Sequence, residues 1–414
     1  MNYFLFLLYL AAACLIVTRI PFVKKAGLST KTILILFIVR LAAGIIAVWL
    51  PAYFSLPNDY WSLHRESLIE YDILLNKPKL FFLDIFQSNY SNEYGGFFST
   101  TNSFWNDLRT TLVIKILAIC NIFSRGFIYT NTLFFNILGI LGPVAFYRIF
   151  KDMFPDKKSA VLIGSFLLPS TLFFSSAMHK DLIVFTFLGL FFYALYFIIR
   201  EKASYKKSFI LVSSLVILLL MRNFLFIALI PALLSLTISN KFSKSTPLKS
   251  FIFVYSSMLV ILLLISFFFP SIQPLAIISN RQHDFMHLDK AASQLTVNNL
   301  EPTIGSFLSN LPQALNHGFL KPYLWDKGGK FTPYWAIELF IYIIIFIMAL
   351  FRGNIKILFR NHFLLFCIFF CFTIFLLIGY IVPNSSSIVR YKSTYLPLII
   401  TPLLAAINGF KRIT

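Results

Sequence analysis

Apolar segments long enough to cross a lipid bilayer recur along the whole chain, and they limit the folds open to it. A helix needs about 20 mostly apolar residues to cross roughly 30 Å of hydrocarbon. We therefore expect an all-α, polytopic membrane protein, in which residues 1–414 form a single integral-membrane domain. The sequence predicts about 11 spans, near residues 3–18, 32–52, 128–147, 159–177, 182–199, 208–221, 224–239, 250–269, 336–351, 363–382 and 394–409.

The composition excludes the main alternatives to a membrane protein. Hydrophobic residues make up 58% of the chain and charged residues 13%, against a usual charged share of about 25%. That balance is too apolar for a soluble globule or for a disordered chain. Basic residues follow residues 3–18 rather than precede them, which favours a retained first span over a cleaved signal peptide.

The arrangement of positive charge predicts how the chain is oriented. The formal net charge is +20 at pH 7. With 11 spans, the loops on one side carry 20 Lys and Arg residues against three acids, whereas the other side carries nearly equal numbers of both signs. Cytoplasmic loops are enriched in Lys and Arg. We therefore expect a multi-pass protein of the cell membrane with an extracytoplasmic amino terminus and a cytoplasmic carboxyl terminus.

The same rule places two long loops, 54–127 and 270–335, on the extracytoplasmic side. Residues 110–124 are predicted to lie on the membrane as an interfacial helix, because a crossing there would mix acidic and basic loops on one side. The excess of Lys and Arg is then explained by the orientation of the chain in the membrane. We therefore expect membrane lipids as partners, and we do not expect nucleic acid. The sequence contains no Walker A motif and no glycine-rich dinucleotide turn, which argues against nucleotide chemistry on the cytoplasmic side.

Acidic residues shortly after the second predicted span are the first candidate catalytic groups. Asp59 lies a few residues beyond the span, and Glu70 and Asp72 follow in the same loop. A carboxylate at the headgroup boundary is within reach of a lipid-linked substrate, and partial desolvation raises its pKa toward that of a useful base. His64 is a candidate acceptor-binding or supporting group. The alternative is that Asp59 caps a loop helix and faces water.

A second polar cluster, His179-Lys180-Asp181, lies at a turn between two predicted spans. Lys180 is a candidate ligand for phosphate, and His179 is a candidate proton donor or acceptor. Asp181 is a candidate supporting group. The alternative is that Asp181 caps the next helix while Lys180 extends toward the headgroups.

Three more cations, Arg222, Arg390 and Lys392, lie in short outer turns. Cations on the outer face need a physical reason, and a lipid phosphate or pyrophosphate provides one, since Arg binds phosphate through two parallel hydrogen bonds. Pairing with the acids of the first loop is the alternative.

The second long loop contains His283 and His287, four residues apart as on one face of a helix. Zinc sites use this spacing, yet no third ligand is evident. Contacts with an acceptor and a solvated helix face are therefore the other interpretations. We expect no cofactor, although a divalent metal stays open. Arg40, inside a predicted span, is either functional or a packing cation paired with a backbone carbonyl.

The layout resembles that of the GT-C superfamily of integral-membrane glycosyltransferases, over residues 32–270. Asp59 matches the catalytic acid of that family by its position after a span, and Glu70-Tyr71-Asp72 matches its acidic motif by pattern. The resemblance implies a polyprenyl-phosphate sugar donor, a glycan or lipid acceptor, and a role in surface-polysaccharide or glycolipid assembly. It assigns the catalytic role to Asp59 first. The cations Lys180, Arg222, Arg390 and Lys392 are then candidates for binding the donor phosphate.

Two other functions fit parts of the sequence. A lipid-linked polysaccharide polymerase or ligase would use the outer arginines and the histidines of the second long loop instead of Asp59. A flippase or transporter for lipid-linked sugars would need a wide polar passage, whereas the predicted spans carry few charges at mid-depth.

Overall fold

The computed structural model describes residues 1–56, 58–88, 103–242, 246–269, 273–288, 292–326 and 328–407. This part of the chain is all-helical, and its only extended pairings are two isolated β-bridges. The α-helices, in chain order, are α1 (Asn2–Arg19), α2 (Pro21–Lys24), α3 (Thr30–Tyr53), α4 (Asp59–Asn76), α5 (Pro78–Leu83), α6 (Phe104–Ser124), α7 (Ile128–Gly139), α8 (Leu141–Met153), α9 (Lys158–Phe166), α10 (Pro169–Phe174), α11 (Lys180–Glu201), α12 (Tyr205–Met221), α13 (Leu225–Phe242), α14 (Pro247–Phe268), α15 (Pro274–Met286), α16 (Ile304–Leu315), α17 (Thr332–Arg352), α18 (Lys356–Arg360), α19 (His362–Ile381), α20 (Ser385–Ser393) and α21 (Leu396–Ala406).

Seven helical segments among the described residues are long and apolar enough to cross a membrane: α1, α3, α7 with α8, α11, α13, α17 and α19. The chain is therefore a helical protein of multi-pass membrane character, as the sequence predicts. The expected number of about 11 spans is not confirmed. One expected span, 159–177, is divided between α9 and α10, and α12 has 17 residues. The predicted boundaries at residues 270 and 409 lie outside the described residues.

Packing divides the described chain into two compact units. The first contains the residues up to 153 together with 165–222, and the second contains 154–164 and the residues from 223 onward. In the first unit α11 packs along α8 and α12, α4 packs along α6, and α3 contacts α7 and α10. In the second unit α19 is the central helix, with α13, α14, α15, α16 and α21 around it.

Helix α6, which includes the predicted interfacial segment 110–124, has a lysine on its buried face. The Lys115 ammonium donates to Glu70 Oε2 of α4 and to Asp84 Oδ1 after α5, both at 2.6 Å. It also lies 4.3 Å from the centre of the Phe81 ring. Two carboxylates and an aromatic face therefore compensate one buried cation, and this cluster joins α6 to α4 and α5.

Replacing Lys115 by Met is expected to destabilise the first unit. The change leaves Glu70 and Asp84 without their shared cation, and it should lower the free energy of unfolding by about 3 kcal/mol, because both carboxylates keep some solvent access. Denaturant unfolding in detergent measures the effect. Lys79→Met is the matched control, since Lys79 is an exposed lysine of α5. Equal stability of the two variants would contradict this account of the cluster.

Candidate functional site

The residues between α10 and α11 form an irregular segment, 175–179, that is buried throughout. Arg40 of α3 donates to the Ser175 hydroxyl at 3.1 Å and also to the Ser175 carbonyl. Asn136 of α7 donates to the Ser176 carbonyl at 2.6 Å. Buried backbone outside a helix needs such partners, because no water is there to replace them.

Close packing holds the same segment against α3. A Cβ atom at Gly44 would overlap the Ser176 carbonyl oxygen, so only glycine lets the two backbones approach this closely. Of the two interpretations of Arg40, the structure has the packing cation paired with a backbone carbonyl. Together α3 and α7 fix the backbone that leads into His179.

His179 begins α11 as its N-cap. Its Nδ1 accepts the backbone N–H of Asp181 at 3.2 Å, so the cap is the histidine and not Asp181. The Asp181 carboxylate is then available for other partners. Its Oδ2 lies 3.1 Å from His179 Nδ1, and its Oδ1 accepts from the Arg222 guanidinium at 2.7 Å. The side chains of His179 and Asp181 are both only 2% exposed.

Asp59 meets this cluster from α4. Asn58 is the N-cap of that helix and accepts the Trp61 N–H at 3.0 Å, while the Trp61 indole donates to the Val48 carbonyl of α3. These contacts place Asp59, the first residue of α4, with its Oδ2 3.7 Å from His179 Nε2. The Asp59 side chain is 58% exposed. One accessible carboxylate therefore stands at the end of a contact chain that runs inward through His179 and Asp181 to Arg222.

This arrangement directs an N–H of His179 at the Asp59 carboxylate. When His179 Nδ1 accepts the Asp181 N–H, the neutral imidazole carries its proton on Nε2, which faces Asp59. In the doubly protonated form, Nδ1–H faces the Asp181 carboxylate instead. Both forms present an N–H to Asp59 and stabilise negative charge on its carboxylate. The ion pair between buried Asp181 and half-buried Arg222 is charge-assisted, and it holds Asp181 in place beside the imidazole.

The other acids proposed from the sequence lie elsewhere on α4. Glu70 and Asp72 follow Asp59 by 11 and 13 positions, which at 1.5 Å per residue corresponds to roughly 16–20 Å along the helix. Glu70 binds Lys115, and Asp72 is exposed and accepts from Asn76 at 2.9 Å. The structure does not bring either of them to Asp59. Lys180, the first residue of α11, is half-buried directly beside His179 in the chain.

His64 is buried on α4, and its Nδ1 has no hydrogen-bond partner among the described residues. Burial lowers the pKa of His64, and a hydrogen bond with the backbone of Gly126 partly opposes that shift. The neutral imidazole is therefore the form that the folded protein favours.

The remaining candidates belong to the second unit. Lys392 of α20 is buried and donates to the Lys321 carbonyl at 3.0 Å. Burial lowers the pKa of Lys392 to about 7, and the Glu338 carboxylate opposes that shift. Arg390 is half-buried on the same helix, whereas His283 and His287 are exposed at the end of α15. Within the described ranges, no group of three His, Cys, Asp or Glu side chains is arranged to hold a metal ion.

One residue near the cluster was not singled out by the sequence analysis. Arg109 of α6 is 5% exposed, and its Nε donates to the Trp105 carbonyl at 3.0 Å. Burial lowers the pKa of Arg109 to about 10, with repulsion from Arg222 as the second cause. The available signal was the position of this arginine immediately before the apolar run 110–124.

Comparison with known proteins adds no further constraint. No family model matches the sequence, and no curated protein or solved structure matches it significantly.

The pKa of His64 generates a pH prediction. Because its folded pKa lies below the unfolded value of 6.5, the unfolded chain binds more protons between these two values, and stability falls as the pH drops through that window. For one proton, the slope reaches at most about 1.4 kcal/mol per pH unit. In His64→Gln, the unfolding midpoint should no longer show this loss of stability when the pH is lowered from about 7.5 to about 5. His283→Gln, at an exposed histidine, should retain it, and an unchanged pH profile in His64→Gln would refute the assignment.

Proposed function

We propose that this chain is a membrane glycosyltransferase that moves a sugar from a polyprenyl-phosphate or pyrophosphate donor to a glycan or lipid acceptor at the extracytoplasmic face. The contact chain from exposed Asp59 through His179 and Asp181 to Arg222 carries the proposal. It unites a candidate base with a candidate phosphate-binding cation. All four residues belong to the first unit, so the proposal depends on that unit alone.

In the proposed reaction, Asp59 and Arg222, at the two ends of the contact chain, have different roles. The acceptor hydroxyl oxygen attacks the anomeric carbon, the bond from that carbon to the phosphate oxygen breaks, and its electron pair leaves with the phosphate. Asp59 takes the hydroxyl proton as general base, a role that contributes about 10²–10⁴ in rate. His179 orients the Asp59 carboxylate. Arg222 and Lys180 stabilise the charge that develops on the leaving phosphate.

The proposal requires a particular topology. We infer about 11 spans, in which the shorter apolar helices also cross, with α6 lying at the interface. The amino terminus and the loops 54–127 and 270–335 are then extracytoplasmic, and the carboxyl terminus is cytoplasmic. The excess of Lys and Arg in the other set of loops supports this orientation.

Cysteine labelling tests the orientation. In a background without the four native cysteines, Asn76→Cys at the end of α4 should react with a membrane-impermeant maleimide in intact cells. Asn354→Cys, between α17 and α18, should react only after permeabilisation. Both positions are exposed in the folded chain, so accessibility within the protein does not bias the comparison. The opposite labelling pattern would place the candidate site in the cytoplasm and end the proposal.

Asp59→Asn tests the catalytic assignment. Loss of the base should lower transfer of sugar from a radiolabelled polyprenyl-phosphate donor by at least about 10²-fold, while the protein still inserts and unfolds normally. Asp72→Asn is the matched control, because that carboxylate is exposed on the same helix and lies far from His179. Glu70→Gln should affect stability more than rate, since Glu70 binds Lys115.

An Asp59→Asn protein with full transfer activity would eliminate Asp59 as the base. If transfer then fails in His283→Gln or His287→Gln instead, the polymerase or ligase function is favoured. Failure of all transfer assays together with uptake of an intact lipid-linked sugar would favour the flippase.

A further inference from the structure

The residues that follow α16 form a turn, 316–326, that is fixed to two helices of the second unit. The turn begins as a short π-helix, Asn316–Leu320, a form that is rare and occurs often at functional sites. A Cβ atom at Gly318 would overlap a backbone carbonyl oxygen of α19, so the turn lies directly on the central helix. From α20, Lys392 Nζ donates to the Lys321 carbonyl at 3.0 Å. The backbone of the turn is therefore held by α19 and α20.

Side chains within the turn also close it on itself. Asp326 binds Lys321 Nζ through Oδ1 at 2.5 Å, and it accepts the Tyr323 N–H through Oδ2 at 2.7 Å. The Tyr323 hydroxyl donates to Asn316 Oδ1 at 2.6 Å. The side chains of Lys321 and Asp326 are mostly buried, so each compensates the charge of the other. These contacts fix the Tyr323 ring at both its backbone and its hydroxyl end.

The fixed tyrosine supports an exposed tryptophan. The rings of Tyr323 and Trp325 are stacked, with 5.0 Å between their centroids and 11° between their planes. Lys321 Nζ lies 4.5 Å from the centre of the Tyr323 ring. The Trp325 residue is 77% exposed, although the turn that carries it is anchored. The second unit therefore presents a flat aromatic face in a defined direction.

We propose that the exposed face of Trp325 is a binding subsite for a neutral pyranose ring of a saccharide. The identity of that saccharide as the acceptor glycan rests on the function proposed above. The C–H groups on one face of a pyranose carry partial positive charge, and they match the negative face of an aromatic ring. Because the indole is already held in place, binding requires little further ordering of the protein.

The anchoring of Trp325 distinguishes it from a tryptophan of the membrane interface. An interfacial tryptophan lies at the headgroup level, where its amphipathic ring is stabilised by the lipid itself, so a fixed ring orientation is not required there. Trp325 instead lies in a turn before α17 begins, and it is stacked on a tyrosine that three contacts hold. The ion pair between Lys321 and Asp326 leaves the turn without formal net charge. A neutral ligand therefore fits this site better than an anionic headgroup does.

Saccharide binding is measured without transfer. The purified full chain in phosphatidylcholine nanodiscs is titrated with cellotetraose and with triacetylchitotriose, and contacts are recorded by saturation-transfer difference NMR. The ring protons on one face of the pyranose should receive the strongest saturation. Trp325→Ala should weaken binding by about tenfold, whereas Trp325→Phe keeps a flat ring and should retain most of the affinity. Tyr334→Ala, at an exposed aromatic residue of α17, is the matched control and should bind as the wild type does.

Lipid quenching tests the alternative that Trp325 is an interfacial residue. The difference in fluorescence between the wild type and Trp325→Phe reports the emission of Trp325. Bromine atoms on the acyl chains of the phosphatidylcholine should leave this emission unchanged. Quenching by these lipids would place the indole in the bilayer and overturn the subsite, as would saccharide binding that is absent or that is unchanged in Trp325→Ala.

The outcomes for this subsite and for the proposed catalytic function are separable. Binding that depends on Trp325, together with full transfer activity in Asp59→Asn, would uphold the subsite while the catalytic proposal falls. Loss of transfer in Asp59→Asn, together with saccharide binding that does not depend on Trp325, would uphold the catalytic proposal and overturn the subsite.

Discussion

The hydrogen bonds from Arg40 and Asn136 to the segment 175–179 are the interactions on which the candidate site depends. The segment interrupts the helices in the interior of an apolar unit, where each unpaired carbonyl would be left without water. Arg40 and Asn136 supply the missing donors from α3 and α7. An intramembrane arginine, which on its own suggests catalysis, serves here to fix a backbone. His179 is therefore placed by two helices distant from it in sequence.

The choice of N-cap for α11 then determines what the cluster can do. An aspartate that caps a helix uses a carboxylate oxygen to accept a backbone N–H. Because His179 takes that role, both oxygens of Asp181 are directed at side chains, one at the imidazole and one at Arg222. The imidazole in turn has its capping nitrogen fixed, so its other nitrogen faces the exposed Asp59. A local rule of helix termini thus produces a line of charged and polar groups from the interior to the surface.

The features that follow from local sequence were predicted well. The spans expected at 182–199 and 363–382 correspond to α11 (Lys180–Glu201) and α19 (His362–Ile381), because a long apolar run specifies a helix without reference to the rest of the chain. The partners of the charged residues could not be predicted in this way. Arg40 binds Ser175 across 135 positions, Lys115 binds Glu70 across 45, and Arg222 binds Asp181 across 41. Such pairs depend on which helices pack together, and hydropathy carries no information on that packing. For the same reason the alternative considered from the sequence, in which Arg222 pairs with an acid of the first loop, did not anticipate its ion pair with Asp181 in the first turn of α11.

The buried and half-buried cations of the first unit also show why outer charges have to be judged by their compensation rather than by their number. Arg40 uses backbone and hydroxyl oxygens, Lys115 uses two carboxylates, and Arg222 uses Asp181. These three charges are explained by the fold, because each one stabilises the packing of helices that it joins. Arg109 differs, since within the described residues its single acceptor is a carbonyl of its own helix, which joins it to no other element.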